Sequence, residues 1–188
     1  MCKVFNKILS ELKSEVKNKK KILIAIDGPG GAGKSTFAEL IKKEIPLFDV
    51  VKMDDFYLPS AERGSKGYHN FHVEKLVEEV ITPFMNDEAI KYSKYNWIED
   101  KIEGEYTVSG NYLIIEGVYS TSDQLKDYYD KKIWVDCHRD IRLHRGLVRD
   151  GEKAYKQWVD EWMPLEDKYV EGQKPRENAD YILHTNPL

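Results

Sequence analysis

Eight residues, Gly28-Pro29-Gly30-Gly31-Ala32-Gly33-Lys34-Ser35, constrain this chain more than any other stretch of it. They satisfy the spacing G-x-x-x-x-G-K-[ST], and Thr36 follows. At average glycine usage, a chance match in a chain of this size is roughly a one-in-a-hundred event. The flanks sharpen the signal. Ile22-Leu23-Ile24-Ala25-Ile26 is the short, continuous, β-branched run of a parallel strand buried on both faces, and Lys34 to Glu44 reads as a helix. Strand, glycine turn and helix together make a phosphate cradle. Gly28, Gly30, Gly31 and Gly33, with small Ala32 among them, let backbone N–H groups turn inward unobstructed. The helix presents its positive end to the same anion. Lys34 supplies a cation for the β and γ oxygens and Ser35 a hydroxyl for magnesium, while Thr36 suits a phosphate contact or helix packing. A nucleoside triphosphate and Mg2+ are therefore the expected ligands.

The rest of the chain alternates strands with helices. Val4, Phe5, Ile8, Leu9, Leu12 and Val16 recur at helical spacing over 3–17. A strand is expected over 49–53, running to Asp54 and Asp55, then a polar loop over 58–72 and a helix over 73–83 that stops near Pro83. Segments 89–95 and 105–109 read as an antiparallel pair joined through 96–104. Strands at 112–115 and 132–137, a helix at 141–149, a break at Asp150-Gly151 and a strand at 179–184 complete the pattern. Between the last two, Tyr155, Trp158, Val159 and Trp162 share a helical face, read as packing on the sheet, and Pro164 kinks or restarts that helix. The expected fold is α/β, a P-loop NTPase three-layer α/β/α sandwich with a mainly parallel sheet. One domain, 1–188, is expected, with an N-terminal helix (1–19) over a sheet edge or a subunit neighbour, a β-hairpin insertion (89–109) and a short lid (146–156).

Composition excludes some classes. The net charge of −4 with pI near 5.8 gives no basic face for nucleic acid. No apolar run reaches the roughly 18 residues of a membrane span, and the first residues lack the apolar core of a signal peptide. Cys2 and Cys137 cannot build a disulfide framework, which fits a reducing cytoplasm. The five histidines form no zinc set, His69 and His72 being the closely spaced pair. No guanine-reading N-K-x-D segment exists, so a small-molecule kinase fits better than a GTPase.

Further segments carry a resemblance: AIDGPGGAGKST at 25–36, MDDFY at 53–57, YHNFH at 68–72, YSKYNW at 92–97, IIEGVYS at 114–120 and VDCHRDIRLHRGLVRD at 135–150. In this order they resemble the uridine kinase branch of the phosphoribulokinase and uridine kinase family, over roughly 21–185. The resemblance implies an ATP-dependent kinase acting on the 5′-hydroxyl of uridine or cytidine. Asp54 would then be the base that orients and deprotonates the acceptor alcohol, with neighbouring Asp55 the alternative. Tyr57, His72 and Tyr95 would contact the acceptor, and Glu116 would join Ser35 at magnesium. Arg142, Arg145 and Arg149, at i, i+3 and i+7, would neutralise the transferred phosphoryl group, Arg142 also touching acceptor and Arg149 nucleotide. Two positions depart from the pattern, His72 and Asn96 standing where relatives carry Asp. Another nucleoside, a nucleoside monophosphate, pantothenate or a sugar thus stays open as acceptor, although Arg63 is the one arginine between 54 and 100. A nucleotide-binding regulatory protein without transfer activity is the rival of another class. Relatives often form oligomers, so a homo-oligomer stays open too.

Overall fold

The computed structural model describes residues 3–63 and 70–186. In chain order its elements are α1 (Lys3–Asn18), β1 (Ile22–Asp27), α2 (Lys34–Glu44), β2 (Phe48–Lys52), α3 (73–85), β3 (Ile90–Asn96), β4 (Lys101–Val108), β5 (Tyr112–Glu116), β6 (Lys131–Asp136), α4 (Arg139–Asp150), α5 (157–173) and β7 (Tyr181–His184).

β1 is buried along its whole length because successive side chains enter two different apolar layers. Ile22, Ile24 and Ile26 join Phe48, Ile114, Ile133 and Val135 on one face of the sheet. Leu23 and Ala25 join Val51, Leu113 and Ile115 on the other. Two-sided burial places β1 at the centre of a sheet ordered β2-β5-β1-β6-β7, with every neighbouring pair parallel. Its carboxyl ends therefore lie along one rim, where Asp27, Lys52, Glu116 and Asp136 terminate their strands. That rim is where an open α/β sheet binds ligands.

Helices cover both faces. α1 and α2 pack together on the first, with Phe5 against Phe37 at 5.6 Å. α1 lies over this face through Phe5, Ile8, Leu9 and Leu12 and reaches the edge strand β7, where Glu11 accepts the Tyr181 hydroxyl and Lys7 lies over its ring. On the second face α3 contributes Leu76, Val80, Ile81 and Phe84. The β3–β4 ribbon is a separate two-stranded antiparallel sheet, docked on α3 through Ile90 and Tyr92.

Both helix prolines act close to where the sequence puts them. α3 ends at Met85, just past Pro83, and α-geometry restarts at Met163 in α5 with Pro164 in its first turn. Each proline follows a π-turn, Val77–Ile81 in α3 and Gln157–Trp162 in α5. The wider turn lets the chain re-enter α-geometry with proline in the first turn, where its missing N–H costs little. β4 begins at Lys101, earlier than expected, because Asn96 Oδ1 accepts the N–H groups of Ile98 (2.8 Å) and Glu99 (3.1 Å) and closes a short turn. Met53–Phe56 forms a 3-10 turn after β2, so Asp54 stands on a turn just past the strand.

Candidate active site

The phosphate loop is shaped by close backbone approaches. A Cβ at Gly28 would lie 2.3 Å from the carbonyl oxygen of Val135 on β6. Gly31 has φ of 73°, and a Cβ there would lie 2.4 Å from the carbonyl oxygen of Arg142. Glycine at these two positions lets the loop nestle between β6 and α4. No side chain caps α2, so the N–H groups of its first turn lack intrahelical partners and point at the loop's concavity. Lys34 is buried beneath the loop, and its Nζ donates to the Pro29 carbonyl at 3.1 Å. Asp27, at the strand end, anchors the arrangement. Its Oδ1 accepts Gly28 N–H at 2.6 Å, and its Oδ2 accepts the Thr121 N–H at 2.9 Å and the Thr121 and Tyr169 hydroxyls at 2.6 Å each. Burial pushes this carboxyl up, and the four donors oppose the shift.

Two acids from adjacent strand ends face Lys34. Glu116 closes β5 and is buried; burial pushes its carboxyl up, against the pull of Lys34 and of the Ser35 hydroxyl. Asp54 keeps solvent access at the floor of the cleft, yet protein surrounds it closely enough that desolvation raises it too, with Lys34 and then Arg149 pulling the other way. Asp55 has a different fate. Lys94 Nζ sits 3.1 Å from its Oδ2, and the Tyr92 hydroxyl donates to the same oxygen at 3.4 Å. Asp55 is thereby turned toward the β3–β4 ribbon and away from Lys34.

The three arginines of α4 do not converge. Arg142 is buried, and its Nη1 donates to Glu166 Oε2 at 3.0 Å. Arg149 reaches the cleft, where it acts on Asp54 and Glu116, and it is gripped by Asp150 through Nε (2.7 Å) and Nη2 (3.0 Å). Arg145 points elsewhere: its Nη2 donates to the Thr185 carbonyl at 2.8 Å, and its Nη1 lies 3.4 Å from the Gly31 carbonyl oxygen. Residues 142 and 145 differ by roughly 60° around a helix, enough to put them on opposite flanks of a narrow loop.

An aromatic wall stands on the far side of Asp54. Tyr57 meets Phe71 (5.0 Å), Tyr95 (5.7 Å) and Trp97 (4.8 Å, stacked), and the Arg63 guanidinium lies 4.5 Å over its ring. The Tyr95 hydroxyl is committed within this wall, donating to Asp100 Oδ1 at 2.6 Å and accepting from Arg63 Nη2 at 2.5 Å. His72 heads α3 at the wall's edge, half-exposed, its Nδ1 4.0 Å from Glu74. His69 lies outside the described residues. Asn96, spent on the ribbon turn, offers nothing to the cleft.

The residues present suit magnesium and a triphosphate. Glu116 and Asp54 bring acid oxygens, and Ser35 a hydroxyl, to the mouth of a loop whose amides await an anion. Among the described residues no three His, Cys, Asp or Glu side chains cluster as a metal cage. Magnesium is ordinarily held through one or two carboxylates together with phosphate oxygens.

Four residues of the site escaped the sequence reading: Asp27, Asp150, Trp158 and Glu166. Trp158 packs on the phosphate loop rather than on the sheet, since a Cβ at Gly30 would meet its ring at 2.9 Å. Glu166 accepts the Gly30 N–H at 2.9 Å. A signal for it did exist: Met163, Glu166 and Tyr169 recur at i, i+3 and i+6, so a carboxylate sits within a buried stripe.

Comparison with known proteins bears on the family and the fold. The profile of the phosphoribulokinase / uridine kinase family matches residues 23–187. A uridine kinase of Ureaplasma parvum serovar 3 is 26% identical over 184 residues, covering 87% of this chain and 89% of its own. One from Anoxybacillus flavithermus is 28% identical over 185 residues, covering 88% and 86%. Among solved structures, a possible uridine kinase from Bacillus stearothermophilus superposes with a TM-score of 0.75 at 18% identity, covering 95% of this chain and 96% of its own. A D-glycerate 3-kinase from Cryptococcus neoformans superposes with a TM-score of 0.59 at 12% identity, covering 97% and 94%. The fold is that of a P-loop kinase. No helix among the described residues is long and apolar enough to cross a membrane.

Proposed function

This chain belongs to the phosphoribulokinase / uridine kinase family, and we propose that it transfers the γ-phosphate of ATP to the 5′-hydroxyl of a pyrimidine nucleoside, uridine or cytidine. The observation that carries this reading is the meeting of Asp54 and Glu116 around Lys34 at the mouth of the phosphate loop. One cation faces two acids raised by desolvation, one on the acceptor side and one on the loop side.

The roles follow from position. Amides of Gly31, Ala32, Gly33 and the first turn of α2 hold the phosphates, with Lys34 neutralising them. Ser35 and Glu116 hold magnesium, which when bound shields the charge shared by the β and γ oxygens. Asp54 accepts the proton of the acceptor hydroxyl and aims its oxygen at phosphorus. Arg142 and Arg149 meet the charge that spreads over the transferred group. Arg145, tied to Thr185 beyond the loop, lines the donor's outer edge. Tyr57 backs the acceptor side, and the exposed ring of Trp97 stacked on it offers an apolar face for a planar base, while Tyr95 holds Arg63 in place beside it. His72 supplies imidazole nitrogens for sugar hydroxyls. The segment around Gly151 closes over the site and keeps water out.

ADP release, measured with ATP and magnesium across nucleosides, nucleoside monophosphates, pantothenate and sugars, tests the proposal. Release that rises with uridine or cytidine is expected. Release that ignores every acceptor would mean a nucleotide-binding regulator, and a stronger response to another acceptor would move the substrate.

A further inference from the structure

Glu166 belongs to no part of the phosphate loop or the acceptor wall, yet it is among the most deeply buried charged side chains, 6% exposed, and it touches both the loop and α4. Its Oε1 accepts the Gly30 N–H at 2.9 Å, and its Oε2 accepts Arg142 Nη1 at 3.0 Å. One carboxylate therefore ties the phosphate loop to the arginine. Burying an ion pair gains little stability over an apolar pair of equal volume, so stability alone is a weak reason for this one. Arg142 keeps a second feature. Its Nε is buried and has no hydrogen-bond partner among the described residues. A buried donor without an acceptor is costly, so Arg142 is not held there for stability.

The backbone of α5 serves the same contact. Trp158 and Glu166 both meet Gly30, where a Cβ would strike the ring at 2.9 Å and Oε1 at 2.7 Å. In an unbroken α-helix, residues eight apart differ by roughly 80° around the axis, too far to share one small target. The π-turn at Gln157–Trp162 loops out one residue and cuts that difference to roughly 20°.

We propose that Glu166 is a positioning residue for phosphoryl transfer: its carboxylate bridges Gly30 and Arg142, and so holds the guanidinium at a fixed distance from the phosphate loop. This assignment rests on the kinase reading above. The Gly30 N–H serves the bridge, while the Gly31, Gly33 and first-turn α2 amides serve the phosphates, so Glu166 stays in place when nucleotide binds. Its contribution falls on the chemical step, through Arg142, and not on nucleotide affinity.

The test compares Glu166→Gln, Glu166→Asp and Arg142→Lys, singly and combined, in the full chain with the acceptor that the parent phosphorylates. Glu166→Gln keeps the shape and the bond from Gly30 but loses the charge. Glu166→Asp keeps the charge and guards against misfolding, but is one methylene too short to span both partners. Each should lower kcat about 10- to 100-fold, the effect of one charge-assisted hydrogen bond. KM for ATP and the calorimetric Kd for ATP should stay near the parent's. Adding either Glu166 change to Arg142→Lys should cause little further loss, because Glu166 acts through Arg142. Parent-like kcat in both Glu166 variants, or losses that multiply with Arg142→Lys, would overturn the assignment. Tighter ATP binding with unchanged kcat would also overturn it, marking Glu166 as a competing anion instead. A parent without any acceptor-dependent turnover removes the kinase reading itself and this role with it, an outcome distinct from an active parent with indifferent variants.

Discussion

Asp54→Asn and Asp55→Asn form the most discriminating pair of substitutions in this site. The two residues are neighbours of identical chemistry, and the surrounding contacts separate them. Asp54 faces Lys34 and Arg149 in the cleft, whereas Asp55 is paired with Lys94 at 3.1 Å. Losing the base should lower kcat about 10²–10⁴-fold. That corresponds to roughly 3–5 kcal/mol of transition-state stabilisation. ATP affinity should survive, because the role proposed for Asp54 is toward the acceptor hydroxyl, while the loop amides and Lys34 hold the phosphates. Asp55→Asn weakens a partly buried ion pair but keeps an acceptor for Lys94 and Tyr92, a loss of about 1 kcal/mol of stability. For a chain of this size that lowers Tm by roughly 2–4 °C, with turnover near the parent's. Coupled ADP release with uridine and cytidine reads the rates, calorimetry the ATP affinity, and thermal melting the fold. The pH profile adds a signature. Burial raises Asp54, against Lys34 and Arg149, and a base works only when ionised. Parental kcat/KM should therefore climb with pH through a limb above the ordinary aspartate range, and Asp54→Asn should lack that limb. Parental turnover in Asp54→Asn, or equal damage from both variants, would refute the assignment of the base.

Three further outcomes are expected. Lys34→Ala removes the cation shared by Asp54, Glu116 and the phosphates, so calorimetry with ATP and magnesium should show at least a tenfold weaker Kd, roughly 1.4 kcal/mol; unchanged affinity would undo the phosphate cradle. Gly146→Ala places a methyl 2.4 Å from the buried Trp158 ring. Overpacking of about 1–3 kcal/mol should outweigh the helix propensity gain of about 1 kcal/mol, so a melt showing higher Tm would contradict the docking of α5. Tyr57→Leu keeps apolar bulk but loses the stacking face, and it should raise KM for the acceptor while leaving KM for ATP alone; equal rises in both would place Tyr57 outside the acceptor wall.

Much of the fold could be read from local pattern, because a phosphate loop needs particular residues at particular spacings and a two-sided strand needs a continuous apolar run. Hence Lys34, Ser35, Glu116 and the core of β1 and β5 were legible. The departure at Asn96 illustrates the limit. In sequence it is a lost carboxylate beside Tyr95, yet its oxygen closes the β3–β4 turn, a task Asn performs as well as Asp. The ambiguity between Asp54 and Asp55 was equally beyond sequence, since it turns on Lys94 from a different strand.

The amino-acid order alone pointed to a phosphate-binding loop, to strands alternating with helices and to the strand ends where chemistry gathers, because each leaves a local pattern. Only the tertiary structure decided which acid faces Lys34, which arginines reach the cleft, and that Asp27 and Glu166 clamp the phosphate loop from outside. Those choices depend on partners far along the chain, Thr121 and Tyr169 for Asp27 and Gly30 for Glu166. A burial or a charge pairing between remote segments leaves no periodic trace, because its geometry exists only after the chain has folded.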